Sequence, residues 1–415
     1  MEQLPSKQWV GDSNSSRGAI QYKMISRKIN QFMKDSSWIR KMFEEGVELK
    51  NKYGEENVFD FSLGNPNLDP PEIFFDNLKN LEKNLNSNIH GYMPNAGFVS
   101  TRDAIAKKIS KESNLKLSSE DIIMTVGAAG ALNVILHSIL NPKEEVIVFK
   151  PFFPEYKFYI DNHEGITKYC DYEDNFEPSL DNFESLINAN TRAIILNSPN
   201  NPTGITYSSE KIFNIVEIIK KSEKKFNSKI YIISDEPYRY LEYENTEQPF
   251  INSIFDRGII ATSFSKDLSL AGERIGYIAV NPKNEAKGEL ISALNFSNRT
   301  LGFVNAPAIA QRLVEKSINS VADLAIYKSK RDFMFNKLTS FGYEIVKPTG
   351  GFYLFPKSPI DDVEFCNTLK QEKILVVPGS GFGAPNYFRI SYSVHDDIIK
   401  NSMNGFEKAI KSFKN

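Results

Sequence analysis

From about residue 81 to residue 280, short apolar runs alternate with stretches whose apolar residues recur at helical spacing. This alternation predicts a mainly parallel sheet covered by helices on both faces, an α/β architecture. Six runs, at 121–125, 145–149, 192–196, 230–234, 258–262 and 275–280, are too short for helices and rich in isoleucine, so they read as buried strands. After every run but the last the chain turns polar or glycine-rich, at Gly127 and over 151–156, 200–204, 235–238 and 263–266. Loops that follow parallel strands converge on the carboxyl edge of the sheet, where ligands bind. The five loops are therefore expected to line one pocket.

Beyond the sheet, a helical stretch over 284–324 is interrupted at Asn305 and Pro307. Strands at 343–346, 351–355, 374–377 and 387–393, mixed with helices at 363–372 and 395–413, predict a smaller α+β companion. A helix over 29–51 has no place in the alternating region and is assigned to that companion. The expected organisation is a disordered leader or arm over 1-23, an N-terminal segment over 24-68 packing with the small domain, a large domain over 69-300 and a small C-terminal domain over 301-415.

The 415 residues suffice for a substantial core, and a formal net charge of -2 offers no basic field for nucleic acid or an anionic membrane. A small molecule is the expected partner. Cys170 and Cys366 have no disulfide or zinc spacing, and the four histidines form no ligand pattern, so no metal is expected. The polar N-terminus lacks the apolar core of a signal peptide, and no stretch is apolar enough to span a bilayer, which predicts a soluble, cytoplasmic protein.

Chemistry concentrates in the run from Ser263 to Arg274, where two hydroxyls precede Lys266 and a fixed cation follows. A deprotonated lysine captures an aldehyde as a Schiff base, while hydroxyls and a guanidinium hold a phosphate. Pyridoxal phosphate carries both groups. The segment from Thr125 through Gly127, Ala128 and Ala129 ends a strand and opens a helix through small residues, so its bare N–H groups suit a phosphate, although Gly127 serves equally as a turn. Asp235 ends an apolar strand and points toward the same crevice; a carboxylate about 4 Å from a pyridine nitrogen favours the pyridinium by roughly 4 kcal/mol at an effective dielectric near 20. In isolation Asp235 reads as well as a helix cap, and Asn201, in Asn-Pro-Thr-Gly, as a turn residue. Tyr238 and Asn201 share a natural task at a ring phenolate, and Phe153 one on the pyridine face or in plain packing. Arg389 interrupts an apolar strand, where an α-carboxylate or a structural salt bridge would satisfy it.

Asn201-Pro-Thr-Gly, Asp235-x-x-Tyr238, Ser-x-Ser-Lys266 and Arg389, in that order, resemble the class I/II aminotransferases of the aspartate aminotransferase-like, fold-type I group, from about Ile29 to the C-terminus. The resemblance implies Lys266 as Schiff-base lysine and proton shuttle, Asp235 at the pyridine nitrogen, Tyr238 and Asn201 at the phenolate oxygen and Phe153 stacked on the ring. It implies Ser263, Ser265, Arg274 and the amides of Ala128 and Ala129 at the phosphate, and Arg389 on the substrate carboxylate. Tyr92 matches a family tyrosine that reaches the phosphate from a neighbouring subunit, implying a homodimer with shared active sites, and Gly64 matches a segment that closes over substrate. Two features depart from the pattern. Ala129 stands where some relatives carry a lysine for an acidic side chain, and Arg299 falls close to a position where others use an arginine of the second subunit. Asn65 and Asn67 also replace acidic or glycine residues at the entrance.

The expected reaction is a ping-pong transfer of an amino group from an L-amino acid to a 2-oxo acid. A β-eliminating lyase on the same scaffold is the rival reading, because reaction fate follows substrate pose. A cofactor-sensing regulator is a third, and it needs a DNA-binding module that neither the N-terminus nor the charge supplies.

Overall fold

The computed structural model describes residues 24–34, 38–83, 90–244 and 246–413. The described residues divide into two units, one up to residue 34 and one from residue 38 onward. Of the first, the described part holds the helix Arg27–Lys34, before which Ser26 Oγ accepts a hydrogen bond from the Ile29 N–H at 3.1 Å. The helix expected over 29–51 is thus two helices, Arg27–Lys34 and Trp38–Tyr53, and the leader expected over 1-23 lies outside the described residues.

Among the described residues the second unit forms twelve strands: β1 (Phe59–Asp60), β2 (Ile122–Thr125), β3 (Glu145–Phe149), β4 (Ile166–Cys170), β5 (Thr191–Asn197), β6 (Tyr231–Asp235), β7 (Gly258–Ser263), β8 (Gly276–Val280), β9 (Tyr353–Leu354), β10 (Ile374–Leu375), β11 (Val377–Pro378) and β12 (Phe388–Ser391). Seven make one sheet in the order β2-β8-β7-β6-β5-β3-β4. From β4 to β7 the neighbours are parallel, while β8 runs antiparallel to both β7 and β2. The six strands read from the sequence are all present, each within one residue of its expected bounds. β4 was not anticipated: it is an edge strand whose first four residues are exposed or half-buried, so it lacks the continuous apolar signature of its neighbours.

Period-two alternation divides the strand residues between two cores. Ile147, Ile194, Ile232 and Ile260 face one, and Val146, Ile195, Ile233 and Ile259 face the other, which the helix Gly127–Ile139 covers. A third core gathers Phe61, Tyr343, Phe352, Phe388, Ile390 and Phe406 around the short sheet β11-β12-β9 and the parallel pair β1-β10. The cores interlock in sequence: Tyr238 and Leu241 belong to the third, whereas Phe355, Val377 and Phe382 pack with the first.

Two C-terminal expectations need correction. No strand forms over 343–346; Tyr343 instead buries its ring and donates its hydroxyl to the Phe406 carbonyl at 2.8 Å, and Pro348 follows closely. The helical stretch expected to run to 324 ends at Ser317, and a separate helix, Leu324–Phe341, follows it. Its buried residues include Lys330 and Arg331 while Ile326 and Phe333 are exposed, so the apolar stripe that would announce it is absent. Among the described residues no helix is long and apolar enough to cross a membrane.

Candidate active site

The carboxyl edge of the large sheet opens into a cavity of about 270 Å³. All five expected loops reach it: Ala128 and Ala129 after β2, Phe153 after β3, Asn197 and Asn201 at and after β5, Asp235, Pro237 and Tyr238 at and after β6, and Ser263, Ser265 and Lys266 at and after β7. Gly64, Tyr353 and Arg389 close it from the third core's side.

Asp235 is buried at the end of β6, in register with Asn197 and Ala261. Its Oδ2 accepts a short hydrogen bond from the Tyr156 hydroxyl, while its Oδ1 is buried without a partner. Burial pushes the carboxyl up to about 7, against the opposing pull of Tyr156 and with a smaller push from Glu236. An acceptor so placed waits for a donor, and a cationic one would bring the proton affinity back down. Asn197 ties the neighbouring strand ends together: its Nδ2 donates to the Asp235 carbonyl at 2.9 Å and its Oδ1 accepts the Asn201 N–H at 2.8 Å.

Lys266 follows the end of β7 and donates from Nζ to the Gly64 carbonyl at 2.7 Å. Burial, then the positive charges of Arg389 and Arg274, lowers its ammonium to about 8, so the neutral amine is accessible near physiological pH. Tyr238 and Tyr353 share a hydrogen bond between hydroxyls at 2.8 Å, and burial raises both phenols. A Cβ on residue 64 would fall 1.9 Å from the Tyr353 hydroxyl, so the close approach of this segment to the cavity requires glycine.

At one end of the cavity the helix Gly127–Ile139 begins with no acidic residue in its first turn and no side-chain cap, leaving its amide N–H groups open. Gly127 has φ +68°, and an added Cβ there would lie 3.0 Å from Arg274 Nη2. Arg274 reaches this edge because β8 runs backwards: its first residue, Gly276, pairs with Ser263 and Thr125, the last residues of β7 and β2. Ser263 and Ser265, both buried, complete that end. At the other end Arg389 is 1% exposed. Its guanidinium donates to Asn201 Oδ1 at 2.9 Å and to the Ser62 carbonyl, its Nε is buried without a partner, and it sits 4.7 Å from the Tyr353 ring centroid and 4.9 Å from that of Phe382. Burial lowers its proton affinity, so an anion arriving here would recover charge stabilisation that neutral partners supply only in part.

Phe153 lines the cavity with its ring edge-on to Tyr156, the centroids 5.5 Å apart. Four residues named from the sequence do not line the cavity of this chain: Asn65 and Asn67, which bond Ser393 and Val394 instead, Tyr92 and Arg299. Tyr92 is 97% exposed beside Phe303 and Asn305, and the exposed Arg299 stacks over Phe296 at 5.4 Å. Sequence reasoning missed Tyr156, Asn197 and Tyr353. Tyr156 lies three residues after Phe153 and Asn197 four before Asn201, whereas Tyr353 falls in a run read only as a strand.

A family model for aminotransferase class I and II matches residues 56–403. The aspartate aminotransferase of Thermotoga maritima is 31% identical over 397 residues, covering 94% of this chain and 100% of that protein. Aromatic-amino-acid aminotransferase 2 of Thermococcus litoralis is 30% identical, with 92% and 97% covered. Among solved structures, an amino transferase from Eubacterium rectale superposes with a TM-score of 0.91 at 37% identity, covering 95% of this chain and all of that one. The aspartate aminotransferase of Thermus thermophilus with maleate gives 0.83 at 25% identity, covering 93% and 100%. The mixed seven-stranded sheet with its helices is the fold-type I arrangement of these enzymes, their names carry transamination and not lyase chemistry, and the chain belongs to the class I and II aminotransferase family.

Proposed function

We propose that the cavity holds pyridoxal 5'-phosphate and that the protein moves an amino group from an L-amino acid to a 2-oxo acid in two half-reactions, with Lys266 as the reacting amine. One observation carries this reading: a lysine lowered to about 8 stands in a cavity that also presents a buried, unpartnered carboxylate oxygen and two separate guanidinium groups. The residues fit the cofactor. Asp235 Oδ1 lacks a donor, Arg389 Nε lacks an acceptor, and the uncapped helix start at Gly127 leaves room that a Cβ would fill.

When bound, the cofactor supplies an aldehyde that captures amines and a ring that stores an electron pair. Asp235 would hold the ring nitrogen protonated through Oδ1, while Tyr156 fixes the carboxylate from Oδ2. Tyr238 and Asn201 would hydrogen-bond the phenolate oxygen, and Phe153 would cover the ring face. Ser263, Ser265, Arg274 and the amides of Ala128 and Ala129 would hold the phosphate. Arg389 would take the substrate α-carboxylate and fix Cα within reach of Lys266 Nζ, which would accept the Cα proton and hand it on to the carbon that the cofactor's aldehyde supplies. Leu63 and Gly64 line the cavity wall and would keep water from that proton.

The seven-stranded sheet and the third core support a large cofactor-holding domain over 69-300 and a smaller one over 301-415, although the helix Ala308–Ser317 packs on the first core. The exposed Tyr92 supports a homodimer in which it reaches the partner's site. The buried thiols of Cys170 and Cys366 fit a reducing cytoplasm. The test is to add amino acids to the cofactor-loaded protein and follow the cofactor absorbance with the matching 2-oxo acid. Conversion of donor to oxo acid supports the assignment, and pyruvate with ammonia from cysteine-like donors, without it, overturns it in favour of elimination.

A further inference from the structure

We infer that His137 and His163 form a binding site, apart from the cavity, for a divalent first-row transition metal such as zinc or copper. Folding joins two of the four histidines that the sequence scatters, across 26 positions. Their Nδ1 atoms stand 3.2 Å apart, with ring centroids separated by 5.0 Å and planes inclined at 57°. Two metal–nitrogen bonds of about 2.0–2.1 Å put their nitrogens about 2.9 Å apart at a right angle and about 3.3 Å apart at the tetrahedral angle. The pair lies between those limits, so one ion reaches both rings without movement of the backbone. In the absence of metal one Nδ1 donates a proton that the other accepts. The ion takes the place of that proton, and the donating ring carries it on Nε2 instead.

The backbone fixes both rings. His137 is in the last turn of the helix Gly127–Ile139, and His163 ends the helix Tyr156–Asn162. The N–H groups of His163 and Gly165 both donate to the Ile160 carbonyl, at 3.1 and 3.0 Å, and the Lys143 N–H donates to the Glu164 carbonyl at 2.8 Å. A Cβ on residue 165 would lie 2.9 Å from both Ile160 Cγ2 and Leu140 Cδ1, so the turn carrying His163 is pressed onto the end of the helix carrying His137. Ligands held on such fixed helix ends lose little freedom on binding, and the carbonyl dipoles that end Gly127–Ile139 favour a cation. Among the described residues no third His, Cys, Asp or Glu joins the pair, which leaves the other coordination positions to water. Two imidazoles select nitrogen-preferring ions over Mg²⁺ and Ca²⁺, which take oxygen ligands. Both ligands come from one chain, on the far side of the sheet from the cavity: His137 is about 15 Å along its helix from Gly127, and His163 precedes the start of β4.

The test compares the untagged, cofactor-loaded protein with its His137→Ala and His163→Ala variants. In isothermal titration with ZnCl₂ the unaltered protein is expected to bind at least about tenfold more tightly than either variant, a loss that removal of an outer-shell partner alone can reach. MgCl₂ is expected to show no such difference. With substoichiometric CuCl₂, electron paramagnetic resonance is expected to show coupling to two imidazole nitrogens in the unaltered protein and to one in each variant. Equal zinc affinity in the three proteins, or a nitrogen count that does not fall on substitution, overturns the inference. Neither histidine lines the cavity, so retained cofactor absorbance reports that a variant is folded. His137 is exposed on its helix, so His137→Ala keeps the fold and decides the matter even where His163→Ala does not.

Discussion

Lys266 gathers its properties from surroundings that the local sequence only partly announces. Its place after a buried strand was legible, because an apolar run ending in serines and one lysine leaves few other sites for the amine. The depression of its proton affinity was not, since it depends on Arg389, 123 positions away, as well as on burial. Attachment of cofactor to the cofactor-free protein should therefore accelerate with pH and level off above about 8, as read by stopped-flow absorbance. Arg389→Leu should move that midpoint upward, because removing a cation favours the ammonium. Between about 8 and the ordinary lysine range the unfolded chain holds the extra proton, so this group makes the native state more stable as pH rises through that window. Lys266→Ala should cut turnover by at least about 10⁴-fold while cofactor still binds noncovalently, seen as retained absorbance after desalting. Arg389→Lys, which loses the two-pronged guanidinium, should cost about 10²-fold in kcat/KM in steady-state assays. Asp235 and Arg389 were legible for the same reason as Lys266, each being a charge at the end or in the middle of an apolar run. Tyr156 and Tyr353 were not, because their meaning lies in hydroxyl contacts to Asp235 and Tyr238, 79 and 115 residues distant.

Among elements, β8 does the most to assemble the site. Its strand character was plain in the sequence, but its direction was not, and direction is what carries Arg274 to the carboxyl edge. The junction is tight: a Cβ on residue 276 would lie 2.4 Å from the Thr262 carbonyl oxygen and 2.8 Å from the Gly127 carbonyl carbon. Gly276→Ala should therefore destabilise the protein by about 1–3 kcal/mol in urea unfolding and weaken phosphate retention with it. Elements whose pattern conflicts with their environment were the ones misread. β4 is too exposed to look like a sheet strand, and Leu324–Phe341 buries two cations on a face that composition marks as solvent. The run at 343–346 has β-branched residues, but its contact with the neighbouring segment is the Lys357 N–H to Glu344 carbonyl bond and not a ladder, and Tyr343 packs into the third core.

For the whole molecule, the alternating pattern of residues 81 to 280 was enough to specify six of the sheet's seven strands and the pocket at its edge. Interlocking of the cores was hidden, because which distant aromatic meets which core is decided only on folding. The proposed homodimer predicts a sedimentation mass of twice the 47.1 kDa chain. It also predicts that Tyr92→Ala weakens cofactor affinity by about tenfold in a fluorescence titration, through loss of a hydrogen bond to a charged group. The sheet order has a temporal consequence. β2 emerges first among the seven strands and pairs with β8, which emerges last. A nascent chain halted between Lys266 and Gly276 carries the reactive amine and Asp235, yet has no β8 for β2 to pair with and so nothing to fix Arg274 at the sheet edge. Under the proposed function, a phosphate grip that needs β8 in place would make cofactor binding wait for the last strand of the sheet.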